Sequence, residues 1–315
     1  MIDIFKEDVN LGLSKKHKTL PSKYFYDSKG DDIFIKIMHM PEYYLTRAEH
    51  DIFENQTEEI INKLNLNKNT FFELIELGAG DGTKTKVLLD ELVNQNYNFK
   101  YLPVDISENA LLNLERSLKE NIPKLHISTK QGDYFKILDS LKNSNAIKIV
   151  FFLGSNIGNM KDDTAKKFMH QLSNSLNKND KVLLGVDLIK EKEVVLPAYS
   201  DNAGITASFN MNLLDRINKE LGANFNTNNF KHLATYREEE GIARSFLVSN
   251  KKQEVTIKSL NKRFSFFEGE KIHTEISRKY NDKVLRNILS NSDLKITDKL
   301  LDENKYFADF ILEKL

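Results

Sequence analysis

The sequence contains no cysteine. Disulfides, thiolate metal sites and cysteine nucleophiles are therefore excluded together, and the composition fits a reducing compartment. An excess of one charge is also missing. Lys plus Arg and Asp plus Glu both total 46, which leaves a formal net charge of zero. Nucleic acid or an anionic membrane is thus not expected as the main partner, since either favours a basic surplus. No run approaches the ~18 uninterrupted apolar residues of a membrane span. The opening MIDIFKEDVNLGLSKKHK is charged where a secretory signal carries an apolar core, so a cytoplasmic chain is expected. The seven histidines stand singly, without HExxH or another ligand spacing, and no metal is expected. Internal repeats and low-complexity tracts are absent as well.

What remains is a globular chain of 315 residues, 40% hydrophobic and 29% charged. That length suits one α/β unit with a large insertion, or two closely joined domains. FFELIEL (71–77) reads as a buried strand, followed by a helix over Asp81–Gln95 with Val87, Leu88, Leu89 and Leu92 inward. YLPVDI (101–106) is a second strand, and Ser107 is placed to cap the helix ENALLNLERSLKE. HIST (126–129), IKIVFFL (147–153) and KVLLGVDL (181–188) are further strand candidates, with the helix DTAKKFMHQLSNSL before the last. This alternation predicts right-handed crossovers and a mostly parallel, doubly wound sheet.

The flanks differ. An aromatic arm fills the first 47 residues, and 205–222 is an amphipathic helix. LATYREEE, GIARSFLVS and QEVTIKS then alternate with period two, as half-exposed antiparallel strands do. KLLDENKYFADFILEKL closes the chain as two strands able to form an antiparallel edge. The expectation is one domain from 48–188 and 280–315, with a second, discontinuous α+β domain from 1–47 and 189–279.

Three features point to chemistry. In ELGAGDGTK, glycines 78, 80 and 82 follow a strand and open a helix, where backbone N–H groups can approach a ligand. The spacing is GxGxG, not the GxGxxG of a dinucleotide site. Asp105 ends the next strand, where a carboxylate can bind both ribose hydroxyls, and Asp133-Tyr134 follows the third, suited to an adenine. Glycine turn, ribose acid and adenine acid on successive strand ends match the class I S-adenosylmethionine pattern. Second, FLGSNIGN (152–159) supplies a polar loop beyond strand four, able to grip an amino acid head group; it lacks the GxSxG of a serine-hydrolase elbow. Third, Tyr24, Phe25, Tyr26, Phe34, Tyr43 and Tyr44 crowd the arm, and aromatic faces attract ammonium groups. If His273–Ile276 is extended, Glu275 and Ser277 share a face and can address the two nitrogens of an imidazole.

ELGAGDGTKTKVLLDEL, PVDIS, FFLGSNIGN, PAYSDNAGITASFNMNLL and HTEIS, with LPSKYFYD and PEYYLTRAEH, resemble the histidine Nα-methyltransferases of ergothioneine biosynthesis. The resemblance runs through nearly the whole chain. It implies a class I, Rossmann-like methyltransferase domain and a substrate domain, with S-adenosylmethionine as methyl donor and L-histidine as substrate; a monomer is expected. It further implies that Gly78, Gly80, Lys84, Asp105, Asp133 and Tyr134 hold the donor. Tyr43, Asn159, Tyr199, Glu275 and Ser277 are implied to hold histidine, with Tyr26 and Phe34 near the reacting amine. Tyr26 and Asn159 are the implied catalytic pair. Two residues depart from the pattern: Ser245 stands beside the imidazole where a larger residue, often Met, is usual, and Asn156 stands where Thr is commoner. N-methylation of another aromatic amino acid, such as tryptophan, is the neighbouring reading. A non-catalytic sensor of the same ligands is the more distant one.

Overall fold

The computed structural model describes residues 2–132, 134, 137, 140, 144 and 146–315. It divides into two compact units: Met1–Tyr44 with Lys190–Ser277, and Leu45–Ile189 with Arg278–Leu315.

The second unit is built on a seven-stranded sheet. Across it the strands run Leu294–Leu301, Phe307–Lys314, Lys181–Asp187, Ile147–Phe152, Phe72–Leu77, Phe99–Asp105 and Lys130–Gln131. The pairs from Lys181–Asp187 to Lys130–Gln131 are parallel, and the last two strands of the chain add an antiparallel edge. Phe151 joins Leu74, Phe53 and Leu89 on one face, whereas Phe152 joins Ile75, Phe168 and Val182 on the other. Both faces are covered because successive side chains point to opposite sides of an apolar strand. Each buried phenylalanine contributes roughly 1.5–3 kcal/mol. Ser107 caps the helix Glu108–Asn121 by accepting from the Ala110 N–H at 3.1 Å. Leu88, Leu89 and Leu92 are buried as expected, while Val87 is half-buried.

The expected strand at 126–129 is reduced to one bridge, Tyr101 to Ile127, and pairing resumes at Lys130–Gln131. His126, Ser128 and Thr129 offer little apolar surface to a sheet edge, so no longer ladder forms there.

The first unit holds a four-stranded sheet in the order Lys18–Thr19, Lys271–Arg278, Ile242–Ser249, Phe230–Arg237. The hairpin Gln253–Ile257 with Lys262–Phe266 stands beside it. Helix Ile205–Leu221 sends Phe209, Leu213, Ile217 and Leu221, each four apart, into the core. The opening segment, which reads as polar, forms helix Ile2–Ser14 with Phe5, Val9 and Leu13 buried. Its buried stripe repeats at i, i+4, i+8 beneath an exterior that mixes charged residues with exposed Ile2, Ile4 and Leu11, which blurs it in composition.

Candidate active site

In the second unit the site begins at the turn after Phe72–Leu77. Gly78, Gly80 and Gly82 have φ of +76°, +56° and +68°, a region that side-chain-bearing residues rarely adopt. A Cβ on Gly78 would lie 2.4 Å from the Tyr134 hydroxyl and 2.9 Å from the Asn156 side-chain nitrogen. One on Gly80 would meet nothing within 4 Å, so the turn presents bare backbone to open space there. The Gly80 N–H donates to Asp105 Oδ2 at 3.2 Å, and the Ser107 N–H donates to Oδ1 at 2.9 Å. A carboxylate has about four lone-pair sites, so Asp105 is oriented by these bonds and keeps acceptors for a ribose diol. Tyr134 meets Phe152 and Phe168 edge-on, with ring centroids at 5.6 and 6.3 Å. Asp133 lies outside the described residues.

Two carboxyl groups beneath the turn, Glu49 and Glu76, are buried, and Lys84 is half-buried beside them. Lys84, in the first turn of helix Thr83–Asn94, pairs with Glu49. Burial pushes its ammonium pKa down, but Glu49 outweighs burial and holds it above the ordinary value. Glu76 is raised to about 7 by burial, against the hydrogen bonds it accepts from Tyr101 at 2.5 Å and Thr85 at 2.8 Å.

The loop after Ile147–Phe152 is pinned at its middle. Ser155, at φ +55°, accepts from the Asp187 N–H at 3.0 Å. A Cβ on Gly158 would lie 2.7 Å from the Arg278 carbonyl oxygen, so only glycine fits there. Asn159, at the end of the short helical turn Asn156–Asn159, is exposed. Asn156 borders the Gly78 turn, its side-chain nitrogen close to where a Gly78 Cβ would stand.

In the first unit, strand Lys271–Arg278 is extended, which sets Glu275 and Ser277 on one face. Ser277 accepts from the Tyr199 hydroxyl at 2.7 Å, both residues being buried. Ser245, on the adjacent strand, donates to Glu275 Oε2 at 3.2 Å. Tyr26, Phe34 and Tyr43 form one aromatic group: Phe34 meets Tyr26 at 5.5 Å and Tyr43 at 6.4 Å, both edge-on. Tyr24 and Phe25 instead belong to the core, and the Tyr24 hydroxyl donates to Asp8 at 2.7 Å. Tyr44 has the Lys190 ammonium over its ring at 4.6 Å.

Two contributors escaped the sequence reading. Phe209 lies 5.6 Å from Tyr26 and 5.8 Å from Phe34, completing the aromatic group from helix Ile205–Leu221. His232 stands behind Tyr199: its Nε2 is 2.8 Å from the Tyr199 carbonyl oxygen, and its Nδ1 is 2.8 Å from Asn210 Nδ2. Nε2 therefore carries the proton and Nδ1 accepts, and burial lowers the imidazole pKa, favouring the neutral ring. Helical periodicity assigns Phe209 to the core, and a lone histidine on a strand has no local signature. Among the described residues, no cluster of three or more His, Asp or Glu is arranged for a metal, and no helix is long and apolar enough to cross a membrane.

A parallel sheet with one antiparallel edge strand pair, a bare glycine turn and an oriented acid at the next strand end define a class I S-adenosylmethionine-dependent methyltransferase. Residues 5–314 match the family described as histidine-specific, S-adenosylmethionine-dependent methyltransferases. The chain belongs to that family. It is 34% identical over 278 residues to a histidine N-alpha-methyltransferase of Mycolicibacterium smegmatis, covering 88% of this chain and 85% of the relative. It is 30% identical over 308 residues to ergothioneine biosynthesis protein 1 of Schizosaccharomyces pombe, covering 96% of this chain but 40% of that longer protein. Among solved structures, an S-adenosylmethionine-dependent methyltransferase from Clostridium acetobutylicum aligns with a TM-score of 0.44 at 14% identity, over 84% of this chain and 90% of that one.

Proposed function

We infer that the chain transfers methyl groups from S-adenosylmethionine to the α-amine of L-histidine, up to N,N,N-trimethylhistidine, as in ergothioneine biosynthesis. The observation that carries the choice of substrate is the polar pair on strand Lys271–Arg278. Glu275 is held by Ser245, and Ser277 is held by Tyr199. A carboxylate and a hydroxyl so oriented suit the two nitrogens of one imidazole, Glu275 accepting from an N–H and Ser277 serving the other nitrogen.

In this reading the Leu45–Ile189 and Arg278–Leu315 unit holds the methyl donor. The Gly78–Gly80 backbone, Lys84, Asp105 and Tyr134 are its binding residues, and Asp133 is assigned with them by the family pattern. The Met1–Tyr44 and Lys190–Ser277 unit reads the imidazole, with Tyr199 among its substrate residues, and Asn159 is assigned to the amino acid head group by the family pattern. Bound S-adenosylmethionine supplies a methyl group on a positively charged sulfur, open to attack by an amine. That amine must be neutral. The α-amine of a free amino acid is more basic than the ~8 of a chain terminus, so at neutral pH it is mostly protonated and losing the proton costs on the order of a few kcal/mol. Tyr26 can relay the proton to solvent water, accepting it as its own hydroxyl proton passes on. Most of the acceleration then comes from holding the nitrogen in line with the methyl group. The aromatic group of Tyr26, Phe34, Tyr43 and Phe209 accommodates added methyls and favours the cation as it forms.

The test is incubation with S-adenosylmethionine and each aromatic amino acid in turn, followed by fragment mass spectrometry. Histidine is expected to gain one to three methyl groups on the α-nitrogen with its ring untouched. Methyl groups on the ring, or preference for tryptophan, would overturn the assignment.

A further inference from the structure

Two buried carboxyl groups share a face of the parallel-sheet unit with the glycine turn: Glu49, the partner of Lys84, and Asp309. Glu49, from helix Tyr44–Lys63, and Asp309, from strand Phe307–Lys314, are fully buried. They converge over Gly185, which pairs with Asp309 across the antiparallel ladder. A Cβ on Gly185 would lie 2.0 Å from Glu49 Oε1 and 3.0 Å from Asp309 Oδ1, so the glycine makes room for the pair. Both oxygens of Glu49 lie 2.9 Å from the Gly154 N–H, and Oε2 also takes the Lys84 ammonium. Neither Asp309 oxygen receives an N–H or O–H from a described residue. The carboxylate that faces Asp309 across Gly185 is Glu49.

Two carboxylates converging on one glycine in a buried interior repel strongly, and one ammonium neutralises only one of them. A single proton shared by the pair removes the repulsion and turns one member into a donor. Glu49 already accepts from two N–H groups, so the proton belongs on Asp309.

We propose that Asp309 is a neutral carboxylic acid donating its O–H to Glu49, and that the pair is a positioning device for methyl transfer. Glu49 fixes at once the Lys84 ammonium, offered to the methyl donor, and the Gly154 amide, which opens the loop carrying Asn159. The role in donor binding rests on the assignment of Lys84 to S-adenosylmethionine. Burial first, then the charge of Glu49, raises the Asp309 pKa, with Lys84 opposing. The charged and titratable groups around the pair are Lys84 on helix Thr83–Asn94 and, acting on Lys84 and Glu49, Glu76 on strand Phe72–Leu77.

The test compares Asp309→Asn with Glu49→Gln. Asparagine keeps the shape and supplies an N–H, so the KM for S-adenosylmethionine and kcat are expected to stay within about threefold of wild type. Glu49→Gln removes the charge that holds Lys84, and that KM is expected to rise about tenfold or more, the size of one charge-assisted hydrogen bond. Any alkaline fall in kcat/KM for the donor that arises from ionisation of Asp309 should vanish in Asp309→Asn. Above about pH 8, where Glu76 is ionised, infrared spectroscopy of the protein alone should show a carboxylic-acid carbonyl band that Asp309→Asn removes. No such band, or Asp309→Asn impairing donor use as much as Glu49→Gln, overturns the proposal. Should Glu49→Gln not fold, the infrared and kinetic results for Asp309→Asn decide. Calorimetry of wild type with S-adenosylhomocysteine separates the two readings: no binding sinks the donor assignment, while the infrared band still judges the proton.

Discussion

The candidate sites of the two units are made from different materials. In the parallel-sheet unit the site is largely backbone: three glycines at positive φ, a bare turn, and an acid oriented by two N–H groups. In the other unit it is largely side chains, drawn from strands Ile242–Ser249 and Lys271–Arg278, the Leu196–Tyr199 turn, the aromatic arm and one helix. The first material suits a ligand whose phosphate-free polar groups are common to many reactions. The second suits the choice of one substrate, because buried polar partners penalise an analogue that cannot pair with them.

If that division holds, the largest effect falls on side-chain recognition. Glu275→Ala is expected to lower kcat/KM for histidine by roughly 2–4 kcal/mol of transition-state binding and to narrow its advantage over tryptophan. Steady-state kinetics with both amino acids measure this, and an unchanged ratio would remove Glu275 from imidazole recognition. Next, Asp105→Ala should forfeit roughly 1.5–3 kcal/mol of S-adenosylhomocysteine affinity, read by calorimetry on a variant shown to be folded. Unchanged affinity would break the assignment of that strand end.

A smaller effect concerns stability. The Glu76 pKa is raised to about 7 from 4.5, so the folded chain binds more protons than the unfolded one between those values. The Glu76 contribution is therefore fully present below about 4.5 and is lost as pH rises through about 7. Replacing wild type with Glu76→Gln should remove a decline on the order of 2 kcal/mol across that window. Denaturant melts of both proteins at pH 5 and pH 8 test the difference, and parallel curves would contradict it. The smallest effect is Ser245→Ala, which removes one neutral-to-charged hydrogen bond at 3.2 Å and leaves Glu275 in place. A loss below about 1.5 kcal/mol in histidine kcat/KM is expected.

The contrast also explains what could be read from the sequence. The turn at 78–82, the acid at 105 and the cap at Ser107 depend on local spacing, and the structure places them at the ends of the strands where spacing predicts them. The same-face placement of Glu275 and Ser277 needed only an extended strand. Phe209 and His232 were not legible, because their places beside Tyr26 and behind Tyr199 are set by packing between segments distant in the chain. Glu49 and Asp309, 260 residues apart by 309 − 49, meet only through the sheet order, and nothing near either position announces it. Helix Ile2–Ser14 was blurred by the mix of charged and exposed apolar residues on its outer face.

The division of labour is tested most directly by crossing the two variants with the two ligands. Calorimetry with S-adenosylhomocysteine should show affinity lowered at least about tenfold in Asp105→Ala and unchanged within about twofold in Glu275→Ala. The KM and kcat for histidine at saturating donor should show the reverse order of damage. Equal loss of S-adenosylhomocysteine affinity in both variants would contradict the account.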